Sequence, residues 1–169
     1  MQLTGLFLEE LDREASATRR VLERVPEGRS GWKPHEKSMP LSELATLVAT
    51  MPMWIALMLN QDFLDLRPPG GPEYKTPQRH TRAELLSALD DSVAQAKAAL
   101  AATKEDHLLT NWQFRIAGHV VSDLPRHQMI RDAVFQHMAH HRGQLTVYLR
   151  LNEAKVPAIY GPTADEPAF

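Results

Sequence analysis

The sequence predicts an all-α protein: a four-helix bundle with one long crossover between its second and third helices and a short β-hairpin ahead of the last helix. Three observations carry this. Four segments repeat apolar residues at three- and four-residue steps. Stretches rich in proline and glycine separate the first three of them. One short segment, 112–121, alternates apolar and polar residues instead. A length of 169 residues suits a single domain, 1–169, with one core.

In the first segment Leu3, Phe7, Leu11, Ala15, Thr18, Leu22 and Val25 form a stripe that Pro26 and Gly28 bring to an end. Residues 26–40 read as a loop anchored by Trp32. The second helix opens near Pro40 or Leu41, because proline suits the first helical position. Its stripe is Leu44, Val48, Met51, Ile55 and Met58. Pro52 falls inside it, removes the hydrogen bond to the Val48 carbonyl and predicts a kink. Residues 67–80 hold five prolines and glycines in the run Pro68-Pro69-Gly70-Gly71-Pro72 and form the long connection.

Thr81-Arg82-Ala83-Glu84 has the spacing of a capping box and starts the third helix, which Leu85, Ala88, Leu89, Val93, Ala96 and Leu100 carry to about Thr103. Trp112, Phe114 and Ile116 then alternate with Gln113 and Arg115, and Ala117-Gly118 turns the chain into Val120 and Val121. This reads as a hairpin, with an irregular loop as the alternative. The fourth helix spans about Arg126 to Asn152, and the proline-containing tail from Val156 is extended.

Composition narrows the function. The net charge of −2 comes from 19 Lys and Arg against 21 Asp and Glu, scattered along the chain, which argues against nucleic acid and anionic lipid as partners. There is no cysteine, so disulfides, thiolate ligands and a cysteine nucleophile are excluded. Glu9 and Glu10 interrupt any secretory pattern near the start, and the longest apolar run, Leu47 to Leu59, is broken by Pro52 and too short for a bilayer. The expectation is a cytoplasmic protein that engages neither nucleic acid nor membrane.

The histidines draw attention to the fourth helix. Ile130, Val134, His137, His141, Gln144, Tyr148 and Leu151 are spaced four and three apart, the pattern of a helix seam facing its neighbours. His137 and His141 stand where a bundle ordinarily places Leu or Val, with His140 at the flank. Side chains at i and i+4 sit about 6 Å apart at Cβ, so the two imidazoles can converge on one metal ion, at about 2.0–2.1 Å from zinc. The same spacing serves a hydrogen-bonded core pair, or an acid–base pair titrating near neutrality. Gln144 and Tyr148 are the nearest polar partners along the helix, whereas Asp132 and Gln136 lie off the seam. Trp32, Trp54 and Trp112 read as packing anchors. Arg142 serves either an anionic group or an ion pair.

His137-Met138-Ala139-His140-His141-Arg142-Gly143-Gln144-Leu145 resembles the last-helix signature of the DinB/YfiT-like superfamily. The tail Tyr160-Gly161-Pro162-Thr163-Ala164-Asp165-Glu166 is similar to the ending of many members, and Trp32 to Met39 and Met51-Pro52-Met53-Trp54 agree. The resemblance implies an up-down-down-up bundle, often a homodimer, holding nickel or zinc on three histidines. Two of these match His137 and His141, and the third comes from the second helix. Related enzymes include thiol-dependent transferases.

This chain departs from that pattern in Leu44-Ala45-Thr46-Leu47-Val48-Ala49, where Leu47 occupies the position of the second-helix ligand. Leucine cannot coordinate a metal. Substitution by His35, in a loop, or by His127, some 15 Å back along the last helix, is disfavoured. Two function classes remain. One is a divalent-metal-dependent enzyme, a thiol-dependent transferase or hydrolase, with a degenerate site on His137 and His141 and weak or absent metal. The other is a metal-free, non-catalytic dimer that binds a small ligand.

Overall fold

The computed structural model describes residues 2–167. In chain order it runs α1 (Leu3–Leu22), α2 (Leu41–Thr50), α3 (Met53–Asn60), β1 (Phe63–Asp65), α4 (Arg82–Ala102), α5 (Glu105–Leu108), β2 (Asn111–Ile116), β3 (His119–Pro125), α6 (Arg126–Met129), a π-helical segment (Ile130–Gln136) and α7 (His137–Leu151). Among the described residues no single helix is long and apolar enough to cross a membrane.

The expected all-α four-helix bundle with a lone hairpin is not what forms. A three-stranded mixed sheet, in the order β1-β2-β3, is built against the helices. The hairpin β2–β3 is antiparallel, and its two-residue turn places Ala117 at φ 52° and Gly118 at φ 81°. Positive φ at both central positions is the turn geometry whose twist matches paired strands. The strand missing from the expectation is β1, which runs parallel to β2 and pairs Phe63 with Gln113, Leu64 with Phe114 and Asp65 with Arg115. Its partner lies about fifty residues on, across α4, the long crossover that a parallel pair requires. The Asp65 carboxylate also accepts from the Gly118 amide at 2.7 Å, tying β1 to the hairpin turn. Phe63-Leu64-Asp65 is too short to display a period, so its strand character exists only through β2.

Pro52 does more than kink the second helix. α2 ends at Thr50 and α3 begins at Met53, with their axes bent by 52°. Thr50 Oγ1 donates back to the Thr46 carbonyl at 2.9 Å, a bond that helps to bend helices. α4 opens with the complete capping box predicted for it, Thr81 and Glu84 each accepting from the other's amide.

Two apolar clusters hold these parts together. Val21, Leu22, Leu44, Val48, Leu89, Leu145 and Leu149 join α1, α2, α4 and α7 at one end. Phe7, Leu11, Ile55, Leu100, Leu108, Trp112, Ile130 and Val134 join α1, α3, α4 and the π-helical segment to the sheet at the other. Arg126, 2% exposed, fastens the sheet end. Its guanidinium donates to the Met58 carbonyl at the end of α3 (2.8 Å), to the Asn111 carbonyl of β2 (2.6 Å) and to Asp62 ahead of β1 (2.9 Å). Cations suit the unpaired carbonyls at a helix C-terminus.

Candidate functional site

The last helix is not the continuous α-helix expected. Seven residues, Ile130–Gln136, bond in the wider i→i+5 pattern, and α-helical bonding resumes at His137. Such segments usually mark functional places because they re-aim the side chains beyond them. Here the wider turns rotate α7 relative to the 3.6-residue seam read from the sequence. The buried residues of α7 are Met138, His141, Arg142, Leu145, Tyr148 and Leu149, while Gln144 and Leu151 are exposed. His137 is half-buried and His141 is 9% exposed, so the pair lies at the margin of the core.

The two rings touch. Nε2 of His137 and Nε2 of His141 are 2.8 Å apart, and on the far side of His141 its Nδ1 lies 2.8 Å from Oε1 of Gln144. An amide oxygen only accepts, so Nδ1 of His141 carries a proton and its Nε2 presents a lone pair to His137. Trp54 of α3 flanks His137 with ring centroids 6.1 Å apart, and His140 stands edge-on to His141 at 5.1 Å. Burial, then the neighbouring charge of His141 and more weakly that of His140, lower the proton affinity of His137 below the ordinary histidine value. The Ala133 carbonyl, one turn back, draws a proton onto the ring but is outweighed.

Arg142, next to His141 in α7, is buried and ties the helix to α1. It is 1% exposed, and it donates to the Glu14 carboxylate at 2.6 Å, the Glu14 carbonyl at 3.1 Å and Thr18 Oγ1 at 3.0 Å. Tyr160 from the tail closes the group, its hydroxyl donating to Glu14 at 2.7 Å. Arg142 is therefore committed to an internal ion pair across to α1 and is not open to a substrate anion. Glu14, off the apolar stripe read for α1, is buried because of it. The tail is pinned further by Asp165, which accepts from the Val156 amide, and by Glu166, which pairs with Arg20 and Arg24.

His137 also forms part of the wall of a cavity of about 370 Å³. Trp54, Leu57 and Met58 of α3, Leu64 of β1, Trp112 and Phe114 of β2, and Met129 and Ala133 ahead of α7 supply most of the wall. Leu66 and Tyr74, from the connection rich in proline and glycine, complete it, held together by a bond from the Tyr74 amide to the Leu66 carbonyl at 2.9 Å. The indole N–H of Trp112 is buried without a partner among the described residues. A second hollow of about 360 Å³ lies between α1 and the π-helical segment and has no histidine in its wall. The sequence offered partial signs of the first cavity in the tryptophans and the alternation at 112–116. Nothing in it signalled β1 or the π-helical segment.

The remaining histidines singled out by sequence take other places. His35 is exposed and accepts from the Lys37 amide at 3.2 Å. His127 lies 3.0 Å from the Leu108 carbonyl through Nδ1. Tyr148 bonds to the Met39 carbonyl at 3.1 Å rather than to the pair. Leu47 is half-buried in α2.

These positions bear on the metal that the resemblance implies. Two ligands at zinc distance and tetrahedral angle stand about 3.3 Å apart. The imidazoles at 2.8 Å are close to that and have to open only slightly. A third protein donor is what the site lacks: among the described residues no three His, Asp or Glu side chains are grouped to share an ion. The residues present do not complete a three-histidine centre.

Comparison with known proteins agrees with this architecture. A DinB-like protein from Bacillus subtilis superposes with a TM-score of 0.65 at 18% identity, over 89% of this chain and 94% of that one. A DinB-like protein from Bacillus cereus superposes with a TM-score of 0.69 at 18% identity, over 91% and 95%. No curated protein matches the chain. The model of the DinB family matches residues 1–168, so the chain belongs to the DinB family.

Proposed function

We propose that this protein binds a small molecule whose apolar part lies in the 370 Å³ cavity, and that His137 and His141 together take an acidic proton from its head as a general base. The observation that carries the proposal is the meeting of cavity and pair: the cavity ends on a histidine whose neutral form is favoured and whose Nε2 faces a second imidazole. A general base has to be unprotonated at the working pH and within reach of the proton it takes.

The chemistry follows from the hydrogen bonds. With Nδ1–H of His141 on Gln144, its Nε2 lone pair faces Nε2 of His137 at 2.8 Å. The pair therefore accepts one proton and shares it, and the deprotonated ligand is left beside a cation. A thiol or a phenol suits such a base, consistent with the thiol-dependent transferase or hydrolase class that the family resemblance implies. The divalent ion of that class lacks a third protein ligand here, so the proton step is assigned to the imidazoles. Leu47 favours a second reading, in which the same place binds its ligand without chemistry.

The test is a thermal-shift screen of small thiols and phenols against the native protein and a variant carrying His137→Gln and His141→Gln. Acidic compounds are expected to stabilise the native protein, more so above pH 6.5 than at pH 5, and to lose most of that effect in the variant. If the compounds stabilise both proteins equally, the histidines have no part in binding and the proposal fails. A phenolate absorbance band that appears on binding to the native protein, at a pH where the free phenol is protonated, separates the general base from the non-catalytic reading, because the transferred proton stays inside the complex.

A further inference from the structure

We infer that the cavity is built for a flat, uncharged aromatic group of about two fused rings. This rests on the reading that the cavity is the ligand site, and it adds what the ligand is. Size comes first. An apolar cavity of about 150 Å³ accommodates benzene. The cavity here, about 370 Å³, is more than twice as large, which suits a bicyclic group and leaves a single ring loosely held. Chemistry comes next. Apart from the edge of His137, the wall consists of aliphatic, aromatic and thioether side chains, and no charged side chain contributes to it. A charge carried inside would lose its hydration with nothing to replace it.

Shape is set by the aromatic side chains. Trp54, Trp112 and Phe114 come from two different elements, and Tyr74 closes over them from the connection. Aromatic faces and edges favour a flat ring in offset or edge-on contact over a puckered hydrocarbon of equal size. Met58 and Met129 adjust to its outline. The reacting group then projects at the only ionisable imidazole in the wall, that of His137. The substrate class is a bicyclic aromatic compound bearing a thiol, phenol or comparable acidic group at its edge.

The probes are naphthalene, decalin and naphthalene-2,6-disulfonate, titrated into the whole protein while tryptophan fluorescence is recorded. Naphthalene is expected to bind at one site per chain. Decalin, of similar size but puckered, is expected to bind about fivefold more weakly. The disulfonate, charged at both ends, is expected to bind at least about tenfold more weakly. Ala133→Leu fills part of the cavity and is expected to weaken naphthalene at least about tenfold. Should that variant lose its cooperative melt, Leu64→Trp on β1 replaces it with the same expectation. The inference is overturned if naphthalene does not bind, if decalin matches it, or if a folded filled variant binds it unchanged. Failure of naphthalene with histidine-dependent thiol binding intact overturns this inference alone. Naphthalene binding with no histidine-dependent acid overturns the general-base reading alone.

Discussion

Replacing Arg142 by Met tests how much the buried ion pair between α7 and α1 stabilises the fold. The guanidinium is 1% exposed and the Glu14 side chain 9%. Without it, the Glu14 carboxylate keeps the Tyr160 hydroxyl and no counter-charge. Removing one partner of a buried pair typically costs about 3–5 kcal/mol, because the remaining charge is left desolvated. Replacing both partners by neutral groups of similar shape is often close to neutral. Each kcal/mol moves the melting temperature of a domain of this size by about 2–4 °C. Arg142→Met should therefore lower Tm by roughly 6–20 °C, and adding Glu14→Gln should restore most of it. Calorimetry at pH 7.5, with urea denaturation as a second measure, reads both. A loss under about 1 kcal/mol for the single variant would refute the reasoning. So would a double variant no more stable than the single one.

The lowered proton affinity of His137 sets a pH dependence. The unfolded chain binds this proton more readily than the folded one, so the contribution is fully present above about pH 6.5 and is lost as pH falls below it. Urea midpoints at pH 7.5 and 5 should differ less in His137→Gln than in the native protein, and equal differences would refute this. Leu47→His should create tight zinc or nickel binding, measured by competition with a chelating dye, if α2 carries the third ligand position. A variant that binds no better than the native chain shows that Leu47 does not stand there. Thr81→Ala removes half of the capping box and should cost about 0.5–2 kcal/mol in urea denaturation without altering ligand binding.

Much of the molecule was legible because local chemistry dictates it. The capping box at Thr81 and Glu84, the break at Pro52 and the turn at Ala117-Gly118 each depend on a few neighbouring residues. Gln144 could be named as a polar neighbour of the pair from helical spacing, and it bonds to His141. The burial of Gln144 and Leu151 read off the same spacing was wrong. A 3.6-residue period carried through Ile130–Gln136 ignores the extra residue that each i→i+5 bond encloses. Arg142 illustrates the same limit. Its burial depends on Glu14, 128 residues away in sequence, and no pattern within α7 announces that partner.

By itself the sequence determined the main helical segments, the cap at Thr81, the break at Pro52, the family signature and the adjacency of His137 and His141, because each is written in residues a few positions apart. Only the tertiary structure decided the fold class, through a parallel pairing of Leu64 with Phe114 that gives strand form to a segment with no period of its own. It also decided the site. The cavity exists where that pairing, the connection through Tyr74 and the π-helical segment meet, so its wall gathers residues from Trp54 to His137. Short-range chemistry set the two histidines 2.8 Å apart, and long-range packing placed His137 beside an apolar space.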